Sequence, residues 1–385
     1  MSFVLYFSIC YSLILAIIIV GILKMYSITK RDNKKKSTFE KKTIFVIVAC
    51  KNEENNIENL IVSLKNQSYP NNKYKVIIAD DDSTDTTSEL VIKNIHNINN
   101  FKYLHVDQCA FPSIKGKKKA ISFAIDYINS EYLCVSKHTD TDAIFAFTDA
   151  DCTPKADWLY DINKAFNNGF DFYAGYSPIT FEKNNLFSRL KNLERASIFA
   201  VSSGGFGIGI PLTCTARNMA YAASLWNKTK GFFEIEHILS GDDDLMLHKS
   251  KTFIDKFYFS FNKNAFVNSV NDLKLYRQVH QETRRCSKFL HYPLYVQMLI
   301  LIVTIFYLLI LYQIVISLIY LNFKSDLLIS LSLKLSFEFL LIATFLKYVN
   351  NFKLVKSFLL LEILYIPYFF FFGVMGTFGR YKWKN

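Results

Sequence analysis

An uncharged run near the start of the chain, residues 3–23, constrains how the protein can fold more than any other feature. A helix of this length, at about 1.5 Å per residue, spans roughly 31 Å, which matches a bilayer core about 30 Å thick. A cleaved signal peptide is the alternative, but the run lacks a basic leader and an A-x-A-like site after it. We therefore predict an uncleaved membrane anchor at residues 1–23.

A basic linker follows at residues 24–42, in which eight Lys and Arg residues are accompanied by only two acidic ones. The positive-inside rule assigns this flank, and the stretch after it, to the cytoplasm. The linker supplies half of the formal net charge of +12. Because each basic residue near an anionic leaflet adds about 1 kcal/mol of attraction, membrane lipid explains this charge. No nucleic-acid partner is expected.

Three more apolar stretches, at about 292–321, 327–346 and 354–378, predict a C-terminal membrane region of about three helices over residues 292–379. Three spans would leave the basic tail at 380–385 outside, against the charge rule. The alternative is that one stretch lies along the interface, with Pro367 breaking the last one. Glu338 and Glu362 lie within these stretches, and we expect them to be protonated or to face the helix bundle.

The stretch between these ends, residues 43–291, is predicted to be a soluble domain. An apolar fraction of 51% with 20% charged residues suits a chain that is part membrane and part soluble domain. A continuous apolar run at 44–50 predicts a strand buried on both faces, and further strands are predicted at 76–79, 101–106 and 143–147. Helical periodicity between them, as in Ile57, Leu60, Ile61 and Leu64, indicates an α/β fold with a mostly parallel sheet. Ligands of such sheets bind beyond the carboxyl ends of the strands.

Two acidic motifs follow strands of this predicted sheet. Asp80 and Asp81 come after the second strand, and Asp149 and Asp151 come after the fourth. Both pairs would emerge at one edge of the sheet. In an extended segment the side chains of Asp149 and Asp151 would share a face, and because two carboxylates aimed at one point repel each other, a cation between them is expected. Oxygen ligands favour Mg²⁺ or Mn²⁺, which usually complete their shell with substrate phosphates. The sequence therefore predicts a site for a metal ion and a diphosphate.

Three nearby strings are interpreted differently. Asp140-Thr141-Asp142 precedes its strand and so falls at the opposite edge of the sheet. Ser83 or Thr84 is expected to cap the helix after the second strand. The string SGGFGIGIP at 203–211 lacks the glycine spacing of phosphate-binding loops, and we interpret it as a flexible loop over the acceptor.

The order of the motifs resembles that of membrane-bound family 2 glycosyltransferases, which include the relatives of cellulose, chitin and hyaluronan synthases. The motifs are KNEENNI, DDDSTD, GKKKA, TDADC, TARNMAY, a GF pair and SGDDDLMLHK. They cover residues 44 to 288 or so. The resemblance implies a cytosolic α/β domain of the GT-A fold, with a Rossmann-like, mostly parallel sheet, flanked by transmembrane helices.

The resemblance also implies how a nucleotide-sugar donor, a UDP- or GDP-sugar, would bind. The implied donor-binding residues are Asn52, Glu53, Asp80, Asp81, Lys117, Lys118 and Asp149. The first four would hold the nucleoside, and the two lysines would lie near its phosphates. Asp149 with Asp151 would bind Mg²⁺ or Mn²⁺ on the diphosphate.

The general base is implied by the string SGDDDL. Asp242 matches the base of the family, while Gly241 stands where the family has an acidic residue. Asp243 is the second catalytic candidate, and Asp244 is a neighbour that the resemblance does not separate from it. The alternative is an acidic first turn favoured by the helix dipole.

A Q-x-x-R string near the membrane region resembles the Q-x-x-R-W motif of the processive synthases. It provides Gln281 and Arg284, with Arg285 in place of the tryptophan, as candidates to contact the acceptor or the diphosphate. The missing indole argues against chain elongation. A basic helix lying on anionic lipid explains the arginines equally well.

We therefore expect a metal-dependent inverting glycosyltransferase that acts on a lipid-linked or surface glycan. It would be an integral protein of a bacterial inner membrane with a cytoplasmic catalytic domain, in contact with membrane lipid and with other cell-envelope biosynthesis proteins. The alternatives are a polyprenyl-phosphate sugar synthase and an inactive glycan-export or scaffold protein.

Overall fold

The computed structural model describes residues 2–34, 39–114, 116–133, 143–181, 183–270 and 275–378. Part of the basic linker, the string Asp140-Thr141-Asp142 and the basic tail at 380–385 lie outside these residues. The described chain forms two compact units, which we call the helical unit and the sheet unit. The helical unit comprises Met1–Tyr26, Lys183–Leu212 and Val279–Arg380, and the sheet unit comprises Ser27–Glu182 and Thr213–Gln278.

This division differs from the boundaries expected from hydropathy alone. Residues 183–212 and 279–291, which were assigned to the soluble domain, cluster with the apolar helices instead. A segment that lies close to the motifs in sequence can therefore belong to either unit.

Ten strands are described. They are β1 (Ile44–Cys50), β2 (Tyr74–Asp80), β3 (Phe101–His105), β4 (Ile144–Phe147), β5 (Cys152–Pro154), β6 (Phe172–Gly175), β7 (Ile179–Thr180), β8 (Met219–Ala222), β9 (Phe257–Ser260) and β10 (Val267–Val270). Seven form the main sheet in the order β3-β2-β1-β4-β8-β6-β9. β5, β10 and β7 form a second, three-stranded sheet.

The main sheet confirms the predicted α/β class. Strands β1 to β4 are parallel to one another, as predicted for these four strands. β8 pairs antiparallel with both β4 and β6, so the sheet is mixed beyond β4. The parallel half brings the carboxyl ends of β1, β2 and β4 to one edge.

Twelve α-helices are described. They are α1 (Phe3–Lys34), α2 (Ile57–Lys65), α3 (Thr87–Ile95), α4 (Lys117–Ile128), α5 (Trp158–Asn167), α6 (Leu186–Ile208), α7 (Ala223–Lys228), α8 (Asp244–Lys251), α9 (Leu275–Cys286), α10 (Leu294–Ile319), α11 (Ser325–Tyr348) and α12 (Phe358–Phe378). In α2 the predicted apolar stripe is fully buried. Apolar residues at i, i+3, i+4 and i+7 thus seat the helix against the core.

Four described helices are long and apolar enough to cross a membrane. They run over Phe3–Arg31, Leu294–Ile319, Ser325–Tyr348 and Phe352–Gly376. α12 continues through Pro367, so the expectation that this proline breaks the last apolar stretch is wrong. Membrane helices tolerate proline because neighbouring groups can satisfy the freed backbone carbonyl.

The string 203–211 is mostly helical, so its interpretation as a flexible loop is wrong. Residues 203–208 form the end of α6, and Gly209 ends the helix with φ +76°. A Cβ atom on Gly204 would lie 2.5 Å from the carbonyl oxygen of Ile18, and one on Gly207 would lie 1.9 Å from that of Gly21. The glycines therefore allow α6 to pack directly on the backbone of α1.

The two carboxylates expected within the apolar stretches face the bundle, as predicted. Glu338 and Glu362 are 6% and 9% exposed, and both contact the ammonium group of Lys334. Tyr11 donates a hydrogen bond of 2.5 Å to Glu338. These buried charged groups of the helical unit thus pair with one another, as is usual for ionisable residues within membrane helices.

Candidate active site

Two loops at the carboxyl edge of the main sheet are joined by reciprocal hydrogen bonds. The backbone N–H of Asn52, after β1, donates to Ser83 Oγ at 2.9 Å, and Asn52 Oδ1 accepts from the backbone N–H of Thr84 at 2.8 Å. Glu53 N–H donates to Thr87 Oγ1 at 2.8 Å. Ser83 and Thr84 therefore hold the two loops together, and neither caps α3 as predicted, since that helix begins at Thr87.

Asp80 is fully engaged within this edge. Its Oδ1 accepts from the backbone N–H and hydroxyl of Ser83 at 3.0 and 2.6 Å, and its Oδ2 accepts from Tyr103 at 3.0 Å. The side chain is 1% exposed. Its contacts in the structure are therefore those of a group that shapes the loop after β2.

Asp81 has fewer partners. Gln108 Nε2 lies 3.5 Å from Asp81 Oδ1, at the limit of a hydrogen bond. Burial raises the pKa of the Asp81 carboxyl, and the nearby charge of Lys51 only partly opposes this effect. Asp81 is thus a buried carboxylate with hydrogen-bonding capacity left for a ligand.

Asp149, Asp151 and Cys152 converge on one point after β4. One ligand atom from each lies within 4.8 Å of the others, a separation that a single metal ion could bridge. The backbone turns here, with Cys152 N–H donating to the carbonyl of Asp149, so a turn rather than an extended segment brings the two carboxylates together. Burial raises the pKa of the Cys152 thiol well above its usual range, and the thiol donates to Asp151 Oδ1 at 3.3 Å. The oxygen atoms are therefore the more suitable metal ligands.

Lys117, the first residue of α4, connects this cluster to the acidic string before α8. Its Nζ lies 2.6 Å from Asp149 Oδ1 and 2.7 Å from Asp242 Oδ2. Burial disfavours the charged ammonium, but the carboxylates of Asp149 and Asp242 outweigh burial and raise the pKa of Lys117. Burial likewise opposes ionisation of Asp149, but Lys117 and Arg217 outweigh it and lower the pKa of that carboxyl. The three groups form a charged network in a partly buried setting.

Arg217 is a site residue that the sequence did not assign. Its Nε lies 3.3 Å from Asp149 Oδ2, and its Nη2 lies 3.9 Å from Asp151 Oδ2. It stands in the TARNMAY string, so the motif marked the segment without giving this residue a role. Asp149 is consequently held between two cations.

Lys118 lies apart from its neighbour. The side chain is 1% exposed, and its Nζ donates to the carbonyl of Ile235. It also lies over the ring of Phe232, 5.8 Å from the centroid. Because consecutive helical residues point in different directions, only one of the two lysines reaches the acidic cluster.

Gly241 is required by the backbone before α8. Its φ is +94°, and a Cβ atom there would lie 2.5 Å from Leu245 Cδ1. A side chain is therefore disfavoured both by conformation and by space. The glycine found in place of the acidic residue of the family has a structural explanation.

The three aspartates that follow have different environments. Asp242 contacts Lys117, as described above. Asp243 accepts from the backbone N–H of Asp244 at 2.7 Å. Its negative charge partly opposes the lowering of the Asp149 pKa, so Asp243 lies near the cluster. Asp244 is 4% exposed and accepts from Thr213 Oγ1 at 2.8 Å and from the backbone N–H of Cys214 at 2.9 Å. Asp244 therefore anchors the start of α8.

The Q-x-x-R residues belong to the helical unit and are described within it. Gln281 and Arg284 lie on α9 and are partly exposed. Arg285 Nη1 lies 3.0 Å from Glu194 Oε1 and 2.8 Å from Glu282 Oε2, and Lys191 contacts both glutamates. Arg285 is therefore part of a four-residue ion-pair network.

Comparison with known proteins agrees with this geometry. Residues 45–223 match the family described as glycosyl transferase family 2. Glycosyltransferase AglE of Haloferax volcanii is 24% identical over 220 residues, which cover 56% of this chain and 62% of that relative. The match thus spans less than two thirds of the relative's length.

Several solved structures are similar to the whole chain. TarS residues 1–349 of S. aureus, in complex with UDP-GlcNAc, is 16% identical with a TM-score of 0.45 and covers 89% of this chain and 94% of that one. The mannosyltransferase PcManGT of Pyrobaculum calidifontis, in complex with GDP-Man and Mn²⁺, is 15% identical with a TM-score of 0.46 and covers 98% and 99%.

The family match spans strands β1 to β8, the part of the chain that contains the parallel half of the sheet together with Lys117, Asp149 and Arg217, while Asp242 lies beyond it. This agrees with the GT-A type of α/β fold that the motif order implied. Residues 45–223 of the chain are therefore similar to glycosyl transferase family 2 domains.

Proposed function

We propose that the protein transfers a sugar from a nucleotide-sugar donor to a lipid-linked or surface glycan, with inversion at the anomeric carbon. The observation that carries this proposal is the position of Lys117, whose ammonium group contacts both Asp149 and Asp242. The candidate metal ligand Asp149 and the candidate general base Asp242 thereby share one cation, the ammonium group of Lys117. That arrangement suits chemistry at a sugar phosphate bond.

A divalent cation fits the residues present. Asp149 and Asp151 offer closely spaced carboxylate oxygens, the ligand type that Mg²⁺ and Mn²⁺ prefer. When bound, the ion would supply Lewis-acid stabilisation of the charge that develops on the departing nucleoside diphosphate. Lys117 and Arg217 both contact Asp149 in the protein alone, and with the donor bound they would turn to its phosphates.

Asp242 is proposed as the general base. Its carboxylate would take the proton from the acceptor hydroxyl while the hydroxyl oxygen forms a bond to the anomeric carbon. The bond from that carbon to the phosphate oxygen breaks, and its electron pair leaves with the nucleoside diphosphate. General-base assistance of this type contributes about 10²- to 10⁴-fold. Asp243, close to the same cluster, is the alternative base.

The nucleoside is proposed to bind at the joined loops after β1 and β2. Asp81 is the strongest candidate for a direct contact, because the carboxylate of Asp80 already has three hydrogen-bond donors. Asn52 and Glu53 use backbone and side-chain groups to fix these loops. We assign them a positioning role for the nucleoside pocket.

The acceptor is proposed to reach the enzyme from the membrane. Four helices with the length and composition of membrane spans support this proposal, and the basic linker favours a cytoplasmic catalytic domain. Arg284 and Gln281 remain candidates for acceptor or diphosphate contacts, whereas Arg285 has two carboxylate partners already. Neither Gly241 nor Arg285 argues for an inactive scaffold, since each has a structural reason.

The test is donor turnover by the full chain in lipid nanodiscs. With Mn²⁺ and a panel of UDP- and GDP-sugars, we expect release of a nucleoside diphosphate that is abolished by Asp149→Asn, Asp151→Asn and Asp242→Asn. The matched control is Asp255→Asn, because Asp255 is 89% exposed and pairs only with Lys251 in the structure described. Turnover that survives Asp149→Asn and Asp242→Asn would refute the assignment.

A further inference from the structure

We propose that a cleft of the sheet unit, separate from the candidate active site, binds a sugar ring of the acceptor glycan. The cleft has a volume of about 280 Å³, near the lower end of the roughly 300–1,000 Å³ of small-molecule sites. Its walls come from α4, the segment before α4, and the segment from Trp226 to Glu236. Its lining includes Phe111, Ser122, Asp126, Trp226, Lys230, Phe232 and Glu236.

Two buried polar atoms in this cleft lack a partner within the described part of the chain. Ser122 is 5% exposed, and its hydroxyl has no hydrogen bond to any described residue. The Oε2 atom of Glu236 is likewise buried and unpaired among the described residues. Because buried polar groups are nearly always hydrogen-bonded in folded proteins, both atoms are suited to form hydrogen bonds with a ligand in the cleft. A carboxylate accepts only, so the ligand must offer donors to Glu236.

Aromatic rings form the apolar part of the cleft. The Trp226 indole and the Phe232 ring meet edge to face, with centroids 5.0 Å apart. Gly231, between them in sequence, has φ +56°, and a Cβ atom there would lie 2.6 Å from the Trp226 ring. The glycine therefore lets the indole lie against the backbone and present itself to the cleft.

This combination selects one class of ligand. A phosphate or a nucleotide is disfavoured because the two carboxylates of Asp126 and Glu236 outnumber the single ammonium group of Lys230 in the lining. A lipid chain would leave Ser122 and Glu236 unpaired. A sugar ring has apolar C–H faces that stack on aromatic rings and hydroxyl groups that donate to carboxylates and serines. A neutral, hydroxyl-rich ring therefore satisfies every feature of the cleft.

The cleft is connected to the candidate active site through two segments. α4 carries Lys117 at its start and Ser122 just over one turn later. Lys118 Nζ holds the carbonyl of Ile235, next to Glu236, and the same segment continues to Asp242. A glycan bound in the cleft would thus contact the elements that carry the ammonium group and the candidate base. This inference rests on the proposed function for its assignment to the acceptor.

The test is a binding measurement without donor or metal, on the full chain in nanodiscs free of sugar-headed detergent. The probes are the methyl glycosides of glucose, galactose, mannose and N-acetylglucosamine, observed by saturation-transfer NMR. We expect at least one to bind, and Ser122→Ala and Glu236→Gln each to weaken its binding by about tenfold. The matched controls are Ser130→Ala, at an exposed position in the turn after α4, and Glu234→Gln, an exposed acid in the segment that contains Glu236.

A stability measurement separates a ligand role from a structural one. Ser122→Ala removes no hydrogen bond to a described residue, so its melting temperature should equal or exceed that of the wild type. A lower melting temperature, binding unchanged in both variants, or no binding of any probe would overturn the proposal. Because the binding test needs no turnover, a wild-type protein that turns over the donor but binds no probe would reject the cleft and leave the proposed function standing. Probe binding without donor turnover would support the cleft and reject the proposed function.

Discussion

Lys117 and Asp242 form an ion pair in which the lysine Nζ lies 2.7 Å from Oδ2 of the carboxylate. The same ammonium group lies 2.6 Å from Oδ1 of Asp149. The side chains of Lys117, Asp149 and Asp242 are 18%, 26% and 11% exposed, so water and salt screen these pairs less than surface pairs. The carboxylate proposed to hold a metal and the one proposed to act as base therefore depend on one cation.

Replacing Lys117 by methionine should make the protein more responsive to Mn²⁺. The change leaves Asp149 and Asp242 without a shared counter-ion, which should cost about 1–3 kcal/mol and lower the melting temperature by a few degrees. A divalent ion no longer competes with the ammonium group, so Mn²⁺ should raise the melting temperature more in the variant than in the wild type. Thermal unfolding with and without Mn²⁺ measures this difference.

Lys251→Met is the matched control, because Lys251 pairs with the exposed Asp255 away from the cluster. Its response to Mn²⁺ should equal that of the wild type. Equal responses in Lys117→Met and the wild type would contradict a metal site at Asp149.

Asp242 and Asp244 should separate catalysis from stability. Asp244→Ala leaves the backbone N–H of Cys214 and the hydroxyl of Thr213 without their acceptor, and we expect a loss of about 1–3 kcal/mol of unfolding free energy. Asp242→Asn should leave the fold intact while turnover falls about 10²- to 10⁴-fold. Denaturant unfolding and nucleoside-diphosphate release are measured on both variants. An unstable Asp242→Asn or a fully stable Asp244→Ala would contradict this division of roles.

Restoring an acidic residue at position 241 should harm the protein. In Gly241→Asp the side chain would meet Leu245, and the backbone would keep a positive φ. Strain of this kind costs about 1–3 kcal/mol. We expect a lower melting temperature and no gain in turnover. A stable variant with increased turnover would mean that position 241 can accept the acid of the family.

β1, β2 and β4 could be predicted because they are apolar and almost entirely buried. β3, at the edge of the main sheet, was predicted with them although its burial alternates. β6, β8 and β9 are as short as β4, but pairing between them depends on contacts distant in sequence. Local patterns carry no signal of that range.

The candidate site could be predicted in outline from its carboxylates and Lys117. Arg217 was missed because a single arginine in a motif has no spacing that points to a partner. α6 was missed because Gly204 and Gly207 lower intrinsic helix propensity, and tertiary packing on α1 overrides that preference. Arg285 was assigned to a ligand contact because its partner Glu194 is distant in sequence and can be recognised only in three dimensions. Its other partner, Glu282, lies three residues earlier on the same helix.

Gly204→Ala tests the packing of α6 on α1. The added Cβ atom would lie 2.3 Å from Ile18 Cγ2 and 2.5 Å from the Ile18 carbonyl oxygen. Helix separation or side-chain distortion should then cost about 1–3 kcal/mol. Gly373→Ala in α12 is the matched control, because nothing described lies within 4 Å of its Cβ position. Thermal unfolding in nanodiscs should show a decrease for the first variant only, and equal midpoints would contradict close helix packing.

Glu282 should make the stability of the helical unit depend on acidic pH. Burial opposes its ionisation, but Arg285 and Lys191 outweigh burial and lower the pKa of Glu282 to about 2, from a usual value of 4.5. Because the folded-state pKa is the lower one, the ionised carboxylate stabilises the fold at pH values above 4.5. This contribution should be lost as the pH falls from 4.5 towards 2.

Glu282→Gln removes this titration, so its melting temperature should fall less steeply between pH 4.5 and 2 than that of the wild type. At neutral pH the variant should be the less stable of the two, since Arg285 and Lys191 lose a charged partner. Glu131→Gln, at an exposed position, should follow the wild-type curve. Parallel curves for Glu282→Gln and the wild type would show that the ion-pair network does not set the acid stability of this unit.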